Sequence, residues 1–407
     1  MIKSIKEWTI LIYADGNNEL VPEMIQSKLD VEKFGPKHNL NVVMQIGLAS
    51  MELVKILTPL KPLPKHTEIS SGVKRYYVLN SKSILIEDLG NINMAGPHNL
   101  YDFIKWGIEN YPAKHYLLAL SGHGFSFVGA IPDLSQNTPY LMNLVDMCKA
   151  VNMSQKDTGV KIDILLLDMC HMNKIEVIYE LGKDKENSVK NVITYIENGP
   201  LRGIPYDKIL SSLEKSIPVN DIGYLIKDIL NNINLNLVAI DINYESLEQI
   251  KRTVNNLAYF YLINERFNNK PPSELIYSIN CKDPFYNYVL ELQNALKQII
   301  IYYKSDYFIK NNIINITTTD LSKSFDSVEV IPIYNKLGFA KNNLWSNVIT
   351  NKAINDPLKP NIDILFKPMF MSSKILIPWI WSMNSYLSKD EILLVSYKLL
   401  KYMNRLS

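Results

Sequence analysis

Two residues occupy positions where the chain could hold a nucleophile and a proton carrier. His123 follows the apolar run Tyr116–Leu120 (YLLAL) and the turn Ser121-Gly122. Cys170 follows the apolar run Ile162–Leu167 (IDILLL) and Asp168-Met169. A cysteine attacks as its thiolate, and an ordinary pKa of about 8.5 must be lowered to populate that form at neutral pH. An imidazole beside it can hold positive charge and later protonate a leaving amine. Cys170 is expected where a strand hands over to a helix, so the helix N-terminus would add partial positive charge. The backbone N–H groups of Gly124 and Cys170 are candidates to bind the oxyanion of a tetrahedral intermediate, and glycine at 124 permits close backbone approach. Asp168 lies two residues before the cysteine, and strand periodicity aims both side chains the same way. A carboxylate there suits an Arg or Lys side chain immediately before a scissile bond. Singly, each residue has a plainer reading as a strand-end imidazole, a small buried thiol or a locally hydrogen-bonded carboxylate. The pair at two strand ends is what carries the chemistry.

Both apolar runs have the length and density of strands buried on both faces, as in a parallel sheet covered by helices. In such sheets chemistry collects beyond the carboxyl ends of the strands. Trp8–Tyr13 (WTILIY) predicts a first buried strand, broken at Ala14-Asp15-Gly16-Asn17-Asn18. A helix is expected to follow to Phe34, with Leu20, Met24, Ile25 and Leu29 near helical spacing and Gly35-Pro36 as its stop. Leu40–Ile46 predicts the second strand, and the β-α-β order implies a right-handed crossover with parallel pairing. Leu53–Leu60, Val73–Asn80 and Ser83–Asp88 predict a small antiparallel annex. A helix over Leu100–Tyr111 delivers the chain to the His123 strand, and another is expected over Pro139–Val151. After Cys170, Asn173 and Glu176 are spaced as a capping box. Strands at Asn191–Ile196 and Leu237–Ile242, then a helix from Tyr244 to about Asn264, complete an α/β domain over residues 1–264. Asn268-Asn269-Lys270-Pro271-Pro272 marks the boundary to a C-terminal α+β extension, 265–407. Within it a helix is expected over Tyr286–Tyr303, a strand near Ile313–Thr319 and a final helix over Lys389–Met403.

Composition narrows the function. The 407 residues are 47% hydrophobic and 21% charged, an ordinary globular balance with ample core. A net charge of +2, with no dense Lys/Arg cluster, argues against nucleic acid as a partner. The opening, Met1 to Trp8, lacks the apolar core of a signal peptide, and no run reaches the roughly 18 apolar residues that span a bilayer. These features predict a cytoplasmic protein as encoded, a secreted one if a leader was removed, and no membrane partner. Three widely spaced cysteines do not make a disulfide framework. Cys148 is expected in a helix core and Cys281 in a structural role. His38, His66, His98 and His115 have no ligand spacing, so no metal site is expected. No G-x-G-x-x-G, G-x-x-x-x-G-K-[ST] or G-x-S-x-G occurs, which disfavours a nucleotide-binding α/β module and a serine hydrolase.

The ordered set Leu120-Ser121-Gly122-His123-Gly124 and Ile164 to Cys170 (ILLLDMC) resembles the catalytic signature of the clostripain family of cysteine peptidases, in the caspase-like clan. The likeness includes the opening Trp8 to Leu20, the Ile175–Glu180 segment and Ile204-Pro205-Tyr206-Asp207-Lys208, and it is good to about residue 245. It implies a caspase-like sandwich with a central, mostly parallel sheet flanked by helices. It also implies a His123–Cys170 dyad, with Asp168 lining a pocket that prefers Arg or Lys and Asn18, in the turn after the first strand, forming another pocket wall. The substrate would be a peptide or protein. The chemistry itself requires no cofactor, whereas the resemblance implies calcium, on which members often depend. It further implies activation by a cut between His123 and Cys170, where Lys149, Lys156 and Lys161 lie. Three features depart from the family's pattern: Phe125-Ser126-Phe127 after His-Gly, Met169 and His171 flanking the cysteine, and Ile196-Glu197-Asn198 after the next strand. The bulky phenylalanines would narrow the cleft and motivate an alternative: a catalytically inactive peptidase fold that binds a peptide or protein partner.

Overall fold

The computed structural model describes residues 5–36, 39–61, 70–219, 221–264, 271–277, 281–282, 284–304, 313–323, 327–353 and 366–406. The chain opens with β1 (Lys6–Gly16), α1 (Val21–Phe34), β2 (Leu40–Leu48) and α2 (Met51–Leu57), then the hairpin β3 (Gly72–Leu79) and β4 (Lys82–Gly90). Helix α3 (Pro97–Asn110) returns to β5 (Ala113–Ser121), followed by β6 (Gly129–Asp133), β7 (Tyr140–Asn143), α4 (Leu144–Thr158) and β8 (Ile162–Asp168). Next come α5 (Ile175–Gly182), β9 (Val189–Tyr195), α6 (Tyr206–Lys215), α7 (Ile222–Asn232), β10 (Leu237–Asp241) and α8 (Tyr244–Ile263). The remainder holds α9 (Pro272–Tyr277), α10 (Tyr286–Gln298), β11 (Ile300–Lys304), α11 (Ser327–Asn335), α12 (Trp345–Thr350), β12 (Met369–Phe370), α13 (Ser373–Met383) and α14 (Lys389–Met403).

Nine strands form one sheet in the order β11-β10-β9-β8-β5-β1-β2-β3-β4. The five central strands, β9 to β2, pair in parallel, and the flanking pairs are antiparallel. This is the α/β class expected from the β-α-β opening. Period-two alternation divides the apolar strands between two cores. Leu118, Leu120, Leu165 and Leu167 face one layer with α3, α4, α5, α8 and α10. Leu117, Ala119, Ile164 and Leu166 face the other, with α1, α6, α7, α13 and α14. Residues beyond 264 therefore enter both cores, and β11 extends the main sheet.

Several predicted elements differ. Leu53–Leu60 is not a strand: Ser50 caps α2 by accepting from Leu53 N, and Leu53, Val54 and Leu57 share one buried face. Pro139–Val151 divides into β7 and α4, where Asn143 ends the strand and caps the helix through Asp146 N. Tyr286–Tyr303 likewise divides into α10 and β11. Near Ile313–Thr319 only a bridge between Lys174 and Asn315 forms. Asn173 and Glu176 make no capping box. The Asn173 amide donates to the Ile196 carbonyl, and Glu176 accepts from Thr317 N and the Tyr334 hydroxyl. Asn268, Asn269 and Lys270 lie outside the described residues.

Candidate active site

The register of β5 against β8 sets the geometry. Ser121 pairs with Asp168 at the carboxyl ends, so His123 and Cys170 each lie two residues past one registered pair. The two turns stay in contact beyond the sheet. Gly122 N donates to the Asp168 carbonyl at 3.3 Å. A Cβ at Gly124 would sit 2.3 Å from the Cys170 carbonyl oxygen, so the backbones abut there with no space for a side chain. The His123 loop is closed by Ile131 N donating to the His123 carbonyl (3.0 Å) and Phe125 N donating to Gly129 O (2.8 Å). Ser126 and Ile131 hold φ values of +57° and +56° in this loop. For a β-branched isoleucine that is a strained conformation, kept in place by the surrounding contacts.

His123 Nε2 lies 2.8 Å from Glu19 Oε1, and the imidazole is 22% exposed. Trp379 of α13 meets the ring edge-on at 5.1 Å, and Phe125 meets Trp379 at 5.6 Å. Phe127 turns away from the cleft and packs on Tyr334. Cys170 is half-buried, with Sγ 3.9 Å from the Gly199 carbonyl. Burial pushes its thiol pKa up, the Gly199 contact lowers it, and the Asp168 carboxylate raises it. The expected assistance from a helix N-terminus fails because α5 begins only at Ile175, and a helix dipole acts within its own first turn. Among the described residues, no hydrogen bond joins the imidazole to the thiol.

Asp168 is buried among the chain's own donors. Tyr195 OH (2.6 Å) and Ile204 N (3.0 Å) donate to Oδ1; Ser121 Oγ (2.9 Å) and Tyr206 OH (3.2 Å) donate to Oδ2. A carboxylate has about four acceptor sites, and all are filled. Burial still raises its pKa, against the four donors that lower it. Asn18 is fully buried: its amide donates to Asp15 Oδ2 and the Pro132 carbonyl, and its Oδ1 accepts from Leu20 N. Its side chain ties the turn after β1 to β6. Sequence reasoning missed Glu19 and Trp379. Glu19 had a usable signal, since the turns after neighbouring parallel strands must lie side by side. Trp379 had none, being 256 positions from His123 (379 − 123) with no motif around it.

The profile of the clostripain family matches residues 18–350. The chain belongs to the clostripain family. Its fold is correspondingly similar to two solved family structures. A secreted C11 cysteine protease from Bacteroides thetaiotaomicron, "iotapain", aligns with a TM-score of 0.53 at 14% identity, over 77% of this chain and 92% of that one. An inactive zymogen C11 protease from Parabacteroides distasonis gives 0.53 at 15%, over 76% and 89%. At these identities the likeness is one of fold: a caspase-like sandwich with a mostly parallel central sheet. No curated protein is matched by sequence. Among the described residues, no group of three or more His, Cys, Asp or Glu side chains could hold a metal ion. No described helix is long and apolar enough to cross a membrane.

Proposed function

We propose that this clostripain-family protein is a cysteine endopeptidase that cuts after Arg or Lys. The observation that carries the reading is the β5–β8 register, which sets His123 and Cys170 beyond the same strand pair with their turns in backbone contact. Cys170 transfers its proton to His123, and the thiolate attacks the scissile carbonyl. The oxyanion is bound by the amides of Gly124 and Cys170. Collapse of the tetrahedral intermediate expels the amine, which takes the proton from the imidazolium and leaves a thioester on Cys170. Water, deprotonated by His123, hydrolyses the thioester and regenerates the thiol. No metal or organic cofactor enters any step. Asp168 favours a basic side chain by its charge at a distance, since the chain's own four donors fill its acceptor sites. A solved relative from Bacteroides thetaiotaomicron, similar at 15% identity, was determined with an irreversible peptide inhibitor, which supports a peptide as the ligand class.

Lys149 and Lys156 lie within α4, and Lys161 is exposed just before β8. A self-cleavage between His123 and Cys170 would accordingly fall most easily at Lys161.

A second reading is an inactive peptidase fold that binds a peptide. It draws on the engagement of His123 by Glu19 and Trp379 rather than by the thiol. One experiment separates the two. A peptidyl acyloxymethyl ketone bearing Lys or Arg should label Cys170 and spare Cys170→Ala, and the matching fluorogenic peptide should be cut only by the unsubstituted protein. Peptide binding by calorimetry without labelling or turnover would replace the first reading with the second.

A further inference from the structure

We infer that Glu19 is the positioning residue of this site: it fixes His123 as the Nε2–H tautomer, so that Nδ1 is the nitrogen that exchanges a proton with Cys170. The inference rests on the peptidase reading above for its catalytic consequence, while the tautomer is a property of the folded chain.

The argument starts with the sheet. β1 lies beside β5 in parallel, with Ala14 opposite Ser121, so the turn after β1 runs alongside the His123 turn. Contact between them is close: a Cβ at Gly122 would lie 3.3 Å from that of Asp15. The β1 turn is braced at every residue before the glutamate. Asn17 N donates to Asp15 Oδ1, the Asn17 amide donates to Asp133 Oδ2 at 2.7 Å, and Leu20 N donates to Asn18 Oδ1. Glu19 therefore leaves a rigid stretch of backbone, and its side chain is 4% exposed. Its Oε1 meets His123 Nε2, and its Oε2 is buried without a hydrogen-bond partner. The imidazole is thus the hydrogen-bonding partner of this carboxylate among the described residues.

An ionised carboxylate only accepts, so the nitrogen facing it must carry the proton. That leaves Nδ1 as the free base in the neutral ring. When Nδ1 takes the thiol proton, the imidazolium forms against a buried negative charge, which stabilises it and with it the thiolate–imidazolium pair. The same contact limits ring rotation, which would otherwise present either nitrogen. The other groups around the ring do not compete for this role. Trp379 of α13 and Phe125 offer only aromatic rings, and Glu23 of α1 and Asp15 are the neighbouring carboxyls on the Glu19 side. Burial pushes both of those carboxyls toward their neutral forms.

The test is Glu19→Gln with Glu19→Asp beside it, on the full chain. Long-range 1H–15N correlation spectra of the unsubstituted protein should show His123 protonated at Nε2 when neutral, and Glu19→Gln should lose that single tautomer. With a Lys or Arg peptide substrate, kcat should fall about 10²-fold in Glu19→Gln, with KM within about threefold. Glu19→Asp should recover part of kcat and of the Nε2–H signal. A structural role alone would shift the melting temperature without moving the tautomer or splitting kcat from KM. An Nδ1–H tautomer in the unsubstituted protein, or an unchanged tautomer in Glu19→Gln, overturns the inference. Unchanged kcat in Glu19→Gln overturns it as well. If the unsubstituted chain neither cuts nor takes the probe, the peptidase reading fails, and the spectra still decide the role of Glu19. Should Glu19→Gln not fold, Glu19→Asp and the unsubstituted spectrum decide it.

Discussion

Gly124 shows how much of this site depends on one missing methyl group. Its backbone touches the Cys170 carbonyl at a distance no Cβ could tolerate, and the listener on the other side is main chain, which cannot rotate away. Gly124→Ala must push the two turns apart by about the 1 Å that costs oriented chemistry roughly 10²-fold. Labelling of Cys170 by a Lys or Arg acyloxymethyl ketone should slow by about that factor, with far-UV circular dichroism unchanged; labelling at the original rate would mean that the contact has no bearing on the chemistry. The thiol itself carries a second prediction. Burial places the Cys170 pKa above that of an ordinary thiol, so its thiolate grows only toward alkaline pH. Iodoacetamide should therefore modify Cys170 slowly at pH 7 and progressively faster through pH 8 and 9, as read by peptide mass spectrometry. Cys148, wholly buried and pushed further up, should stay unmodified in the folded protein. A Cys170 rate already at its plateau by pH 7 would contradict the assigned environment.

Among the elements, α13 brings an unanticipated group to the site. It lays Trp379 on the edge of His123, from a position beyond the residues that the family profile matches. Trp379→Ala should cost about 3–5 kcal/mol of stability, the usual range for removing a buried tryptophan. It should also speed diethyl pyrocarbonate modification of His123 severalfold, because the ring loses an aromatic wall. An unchanged modification rate would show that the tryptophan does not shield the imidazole. The elements also mark where sequence reading succeeds. β5 and β8 are legible because continuous apolar runs of strand length are unambiguous, and a polar residue at the end of such a run points at the catalytic edge. The strand predicted over Leu53–Leu60 failed because a short apolar run fits either period, and the deciding signal was the Ser50 cap. Asn173 and Glu176 had capping-box spacing, yet both turn to residues beyond 310, at a separation local rules do not reach. Glu19 was hidden by its turn, where the neighbouring asparagines carried the resemblance and the glutamate carried the contact with His123.

The whole molecule is held together across these long separations, and its response to pH should show it. Asp15, Asp133, Asp168 and Glu176 are wholly buried, and burial raises the pKa of each. A raised folded-state value means the folded chain binds more protons than the unfolded chain between the two values. That contribution to stability is full below the ordinary carboxyl range, near pH 4, and is lost as pH rises through the folded values. Glu7 acts in the opposite sense, since its Lys114 partner at 2.9 Å lowers its pKa. The melting temperature should fall between pH 5 and pH 8, and Glu176→Gln should flatten that slope; a melting temperature rising over this interval would reverse the assignment. The C-terminal segment gives the larger test. Met371, Leu376, Trp379, Ile380 and Leu399 all lie in the core on the face of the sheet that holds α1 and α6. Each such side chain contributes about 1.5–3 kcal/mol on burial. Removing all five forfeits about 8–15 kcal/mol, as large as the roughly 5–15 kcal/mol that keeps a domain folded. Asn384 also donates to the Leu57 carbonyl, and Tyr402 OH lies 2.9 Å from Ser50 Oγ, so the segment closes over α2 as well. A chain ending at Lys367 should therefore show no cooperative melting transition and should be degraded by trypsin at rates typical of an unfolded protein. A truncated chain that melts cooperatively within a few degrees of the full one would make α13 and α14 a separable appendage, and Trp379 a visitor to the site instead of part of its frame.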